Sequence, residues 1–212
     1  MSQGTLQRFA PLTAFAFVAL VIASFVVLGE TPSSDAPTDE VVNFFKDNQD
    51  EAGISAGLLS LASLFLVWFA ASLRAALRRP GEDADRLATI SFTGLVFVAL
   101  GFLCFAGFNA TLSDIADNSS TVPGEVVQAV SVLNEDFFPI LGVGIVMSMF
   151  ATGLAIVRHG PFPRWLGWVG IAIAILFIPV WFIGFPGTGL FLLVLSVLMF
   201  RDGASGRTDA AG

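Results

Sequence analysis

The sequence predicts an all-α polytopic membrane protein, with six transmembrane helices arranged as three hairpins and short amphipathic helices on the outer surface before the second and fourth spans. Three observations predict it. The 212-residue chain is 55% apolar and only 13% charged, with a mean hydropathy of +0.82, whereas a soluble domain carries about 25% charge. The apolar residues gather in blocks of about 20, the length that crosses a hydrocarbon core about 30 Å thick at about 1.5 Å per residue. The charges are sorted as well: every basic residue except Lys46 falls on one side of the implied membrane, and most acidic residues fall on the other.

The first span is expected at residues 9–29, behind Arg8. Its apolar run is longer than the core of a signal peptide and no A-x-A site follows, so an uncleaved span is preferred over that competing reading. The second, at 52–73, ends in Arg74, Arg78 and Arg79, after which Pro80-Gly81 breaks the chain. The third is expected at 87–110 and the fourth at 137–157, closed by Arg158-His159. The stretch 165–200 is too long for one span and is punctuated by Pro179, Pro186, Gly187 and Gly189. It predicts spans at 165–184 and 188–203 with a turn near 185–189, the second arm being short or partly re-entrant. Trp165, Trp168 and Trp181 suit interfacial aromatic belts, and the Arg bias of the short loops places both termini in the cytoplasm, across a plasma membrane.

The two outer segments begin with polar turns, Thr31-Pro32-Ser33-Ser34 and Asp117-Asn118-Ser119-Ser120, and then become helical in pattern. Val41, Val42 and Phe45 share one face, as do Val126, Val127, Val130 and Leu133. Thr38 and Asp39 are candidate N-caps of the first. Recurring motifs point to a parallel repeat of 9–79 and 87–160: Phe17-Val18-Ala19-Leu20 returns as Phe97-Val98-Ala99-Leu100, and Glu40-Val41-Val42 as Glu125-Val126-Val127. Helix association in lipid depends on close backbone approach and local polar contacts. Gly53 and Gly57 on the second span, with Gly144, Ser148 and Thr152 on the fourth, are therefore expected to pack in a four-helix unit formed by the first two hairpins.

Candidate chemistry is sparse. The net charge of −7 argues against nucleic acid as a partner, since phosphate recognition needs a basic surface. Gly53-Ile54-Ser55-Ala56-Gly57 matches a nucleophile-elbow pattern, but His159, the one histidine, is expected a membrane thickness away, so no base reaches Ser55. His159 reads as a residue of a cytoplasmic turn and Cys104 as a small buried hydrophobe. No catalytic residue and no cofactor is expected. Asp50-Glu51 and Glu135-Asp136 recur at equivalent outer positions, where helix dipoles favour negative charge. Together they form a candidate outer cation site, provided the second and fourth spans are neighbours. Arg74, Arg78, Arg79 and Arg86 set topology and are candidates for anionic lipid headgroups. Asn109-Ala110-Thr111 and Asn118-Ser119-Ser120 match the glycosylation pattern.

The acidic first loop with Glu40-Val41-Val42-Asn43-Phe44-Phe45, the run Leu66-Val67-Trp68-Phe69, and Pro163-Arg164-Trp165-Leu166-Gly167-Trp168 resemble small multi-span membrane proteins of actinobacteria that carry no assigned function. The resemblance covers most of the chain and implies location and shape, with no catalytic residue. The functional expectation is a non-catalytic structural, accessory or lipid-interacting component whose partners are membrane lipids, a membrane protein or a second copy. Its alternative is a transporter or channel for a small neutral or apolar solute. Ion-coupled carriers place charge within the spans, and these spans carry none in their middles.

Overall fold

Every apolar block becomes a helix in the computed structural model, which describes residues 10–33, 35–118, 122–160, 162–179 and 181–205. Arg8, Ser34, Ser119, Ser120 and Arg207 lie outside the described residues. After a single 3₁₀ turn, Ala10–Leu12, the helices are α1 (Thr13–Leu28), α2 (Thr38–Asp47), α3 (Gln49–Leu77) and α4 (Glu82–Asp117). They continue with α5 (Gly124–Asp136), α6 (Phe138–His159), α7 (Arg164–Phe177) and α8 (Trp181–Ser205). Among the described residues, five helical stretches are long and apolar enough to cross a membrane, while α7 is apolar but short.

Prolines set several starts. Pro37, Pro123 and Pro163 each stand at the N-cap of α2, α5 and α7, where a missing N–H costs no intrahelical bond. Pro37 thus takes the position expected of Thr38 or Asp39, which fall inside the first turn. Gly160 ends α6 in the left-handed region, φ +64°, with its N–H donating to the Ile156 carbonyl. Side chains rarely adopt that conformation, which is why glycine terminates helices there.

The neighbours run α1, α3, α4, α6, α7, α8 and back to α1, with α3 and α6 on either side of α4 and meeting only marginally. The condition that the outer cation site requires, the second and fourth spans as close neighbours, is therefore not met. The round closes where the Ser196 hydroxyl of α8 donates to the Pro11 carbonyl at 2.6 Å. Ser24 of α1 meets Ser55 of α3 at 2.9 Å, and Ser91 of α4 meets Thr152 of α6 at 2.7 Å, each pair buried. At the arginine-rich end Arg74 donates to the Thr89 hydroxyl at 3.2 Å and stands over the Phe92 ring, while Arg78 pairs with Asp85 at 2.7 Å.

Two crossings bring backbones together. A Cβ added at Gly94 of α4 would lie 2.8 Å from the Gly144 carbonyl and 2.6 Å from the Ser148 nitrogen of α6, and one at Gly153 would lie 2.5 Å from the Gly167 carbonyl of α7. Gly53 and Gly57 behave oppositely: both are exposed, with nothing among the described residues within 4 Å of an added Cβ. Their expected packing role is corrected. The buried face of α3 is instead Ala52, Ser55, Ala56 and Leu59.

The outer helices do more than lie on a surface. α4 continues past the expected end at 110 through Asp117, and its Leu112 and Ala116 pack with Val41 and Phe45 of α2, Val127 of α5 and Ala52 of α3 in a second small core. The buried stripe of α5 is Val127 and Ser131, with Val130 packed against it; Val126 and Leu133 are exposed, contrary to the single face expected. The last hairpin also differs. Its turn is at Ile178 and Pro179, and Pro186 sits inside α8 near its amino end. The short arm is therefore the first: 14 residues of α7 rise about 21 Å, against a hydrocarbon core of about 30 Å.

Candidate functional site

A cavity of about 1150 Å³ opens above the end of α7. Its position follows from that helix's length. Phe177 and Ile178 end α7, and beyond them the first turns of α6 keep α4 on one side but lose α7 on the other. The α6 residues Pro139, Gly142, Val143, Val146 and Met147 form one wall. Phe105 of α4 and Phe138 of α6, edge-to-face at 6.1 Å between ring centres, form another. The outer core closes the top with Phe45, Ser131, Asn134, Glu135 and Asp136, and the loop Thr31–Ser33 forms a rim. One end is thus polar and the other apolar, with Val143 and Ile178 strongly exposed at the apolar end.

Asn134 lines the polar end. Its Nδ2 donates to Oδ1 of the buried Asn109 at 3.3 Å, while its own Oδ1 is buried and accepts no hydrogen bond. Sequence reasoning missed this pair. The spacing Val127, Val130, Ser131, Asn134 on the inward face of α5 is the signal that marks it. The burial of Asn109 within α4 also leaves no exposed loop there of the kind a glycosylation acceptor occupies.

A second, largely apolar groove of about 910 Å³ lies between α1 and α8, lined by Val18, Ile22 and Phe25 on one side and by Pro186, Thr188, Leu190 and Leu193 on the other. Phe138 borders both spaces, and its contact with Phe185 at 6.0 Å, with Phe185 against Phe102 at 5.9 Å, makes an aromatic partition between them.

The expected cation site divides. Glu135 and Asp136 line the large cavity, whereas Asp50 and Glu51 stand exposed in the first turn of α3 and do not line it. Among the described residues no three His, Cys, Asp or Glu side chains assemble to hold a metal. The reason is the interposed α4, which keeps α3 and α6 apart. Glu135 and Asp136 moreover end α5, one residue before α6 begins after Phe137. Ser55 is buried in the α1–α3 contact, His159 closes the opposite end of α6, and Cys104 is half-buried in α4. Gly144, Ser148 and Thr152 face α4, at Gly94 and Ser91.

Residues 12–204 match the family described as Domain of unknown function (DUF4386). The chain belongs to that family. The match to this DUF4386 protein begins at the end of the first 3₁₀ turn, takes in both walls of the cavity and ends within α8. No curated protein sequence and no solved structure gives a significant match to this DUF4386 chain.

Proposed function

We propose that this protein is a non-catalytic, lipid-interacting component of the plasma membrane, with six helices entering the bilayer, both termini cytoplasmic, and the outer cavity as its working site. The observation that carries this reading is the joining of a polar end and an apolar end in one cavity of about 1150 Å³. Small-molecule sites usually occupy about 300–1,000 Å³ with a few placed polar groups in an apolar lining, and this space is larger and divided as an amphiphile is divided. The arginine-rich side fits the cytoplasm. Whether α7 reaches the far surface or turns within the outer leaflet, the chain returns to the side of Arg164. A turn at that depth is tolerable where it borders a protein-lined space, as Ile178 does. A non-catalytic role is supported by the Ser55 hydroxyl being engaged with Ser24 and by the distance in the fold between Ser55 and His159.

Native mass spectrometry of protein extracted from its own membranes tests the reading. The wild type is expected to carry one or more lipid molecules, and Val143→Trp, which fills the apolar end, is expected to lose them while melting at the same temperature. Lipid-free wild type overturns the proposal. A second reading, passage of a small neutral or apolar solute, is favoured by the groove of about 910 Å³ adjoining the same aromatic partition. Solute flux into proteoliposomes that rises in Phe138→Ala supports it, and no flux across a broad solute panel rejects it.

A further inference from the structure

The buried hydroxyls of this fold are satisfied within it, with one exception among the described residues. Ser24 bonds Ser55, and Ser91 bonds Thr152. Ser63, Ser148 and Thr188 donate to carbonyls of their own helices, and Ser113 and Ser196 to those of Gln49 and Pro11. Ser131 differs: it is 9% exposed, yet its hydroxyl makes no hydrogen bond. A helical serine commonly donates to the carbonyl four residues back, as Ser63 does to Leu59, and Ser131 has turned away from that bond to Val127. It lines the outer cavity instead, and its Oγ keeps contact with that space, whereas the Asn134 Oδ1 is enclosed by protein. A buried hydroxyl without an acceptor is costly, and an acceptor on a ligand relieves that cost. The surroundings require that acceptor to be uncharged. Among the described residues no Lys, Arg or His lines the cavity, and Phe45, Phe105 and Phe138 border the same space. A phosphate or carboxylate drawn in to Ser131 would lose its water without gaining a cation.

We infer that the outer cavity holds a glycerolipid by an ester carbonyl, which accepts the hydrogen bond of the Ser131 hydroxyl, with the attached acyl chain running down the α6 wall past Val143, Val146 and Met147. The inference rests on the outer cavity being a lipid site. An ester carbonyl is the uncharged acceptor that a membrane lipid carries next to its hydrocarbon, and the cavity joins a free donor to an apolar wall in the same order. Phe137 links α5 to α6 in helical conformation, φ −77° and ψ −9°, so Ser131 and Val143 lie about 18 Å apart along one run of helix. The exposure of Val143 and Ile178 opens the apolar end to the bilayer, so the chain enters sideways. The headgroup stays outside, at the Thr31–Ser33 rim.

The test uses full-length protein in nanodiscs holding equal amounts of a diester phosphatidylcholine and its diether analogue, alike in headgroup and chain length, followed by release into the gas phase and a count of the lipids retained. An ether oxygen is a weaker acceptor than an ester carbonyl. Wild type is expected to retain the diester lipid about fivefold in preference, the size of one neutral hydrogen bond. In Ser131→Ala the two lipids are expected to be retained equally. Val143→Trp is expected to lose both. Equal retention by wild type, or a preference unchanged in Ser131→Ala, overturns the carbonyl assignment. If in that case Val143→Trp still sheds lipid, the lipid-site reading survives it. Retention of neither lipid by wild type overturns both. Melting in detergent separates binding from structure: Ser131→Ala removes a hydroxyl without a partner in the protein and is expected to melt no lower than wild type. A lowered melting temperature would show that hydroxyl bonded within the fold and overturn the assignment.

Discussion

Small residues act in this bundle by where they face. Gly144 and Gly153 lie on two faces of α6, one against Gly94 and the other against Gly167, and each lets two backbones approach closer than any side chain would allow. Gly144→Leu is expected to lower stability by about 1–3 kcal/mol, the usual cost of forcing bulk into a packed contact, or to prevent folding. Gly57→Leu, beside open space, is expected to shift it by less than about 0.5 kcal/mol. Melting curves in detergent compare them directly, and equal losses at the two sites would contradict the assigned faces. Ser91→Ala removes the buried bond to Thr152 and is expected to cost about 0.6 kcal/mol, the average for interhelical bonds in membranes. The spacing of Gly144, Ser148 and Thr152 was legible in the sequence. The same spacing at Gly53 and Gly57 misled, because a lipid-facing surface is as apolar as a protein-facing one and periodicity alone does not say which side is in. Gly94 has no small neighbour at that spacing and gave no signal; its partner on α6 defines it.

At the scale of elements, the outer core is a separate cooperative piece. Phe45, Leu112 and Val127 join α2, α4 and α5, with Leu28 of α1 and Ala52 of α3 at the edge of the same cluster. Phe45→Ala is expected to cost about 3–5 kcal/mol locally, as large aromatic deletions do. Hydrogen exchange should then speed up in α2 and α5 while α3 and α6 stay protected below Ala52 and Gly144. Uniform acceleration across all helices would show that the two cores melt together. The existence of α2 and α5 was readable from polar turns followed by spaced valines. Their burial was less so, since Val126 and Leu133 share the apolar character of Val127 and Val130, and only the end of α4 decides which of them is covered. The last hairpin shows another limit. Pro179 and Pro186 look equivalent in sequence, yet Pro186 is the sixth residue of α8 and lies inside the helix at the cost of one ladder bond, while the turn falls at Ile178 and Pro179. The cavity follows from this, because its height is set by where α7 stops.

For the whole molecule, the sorted charges make a statement that labelling can check. In a Cys104→Ser background, Glu30→Cys is expected to react with a membrane-impermeant thiol reagent on intact cells, and Asp83→Cys only after permeabilisation. Both positions are exposed, so the reverse pattern would invert the proposed orientation. Architecture was largely legible at this scale: alternating long apolar helices with acidic and arginine-rich ends. What stayed hidden was the order in which the helices touch, since hairpin connectivity alone does not tell that α4 would stand between α3 and α6.

The position of α4 gives it a mechanical character. It is an unbroken helix of 36 residues, about 54 Å long. Its first turn sits beside Arg78 through Asp85, and its last turns form the floor under α2 and α5. It is a strut between the two aqueous faces. At that length a lean of about 5° would carry its far end sideways by about 5 Å, directly beneath the helices that roof the cavity.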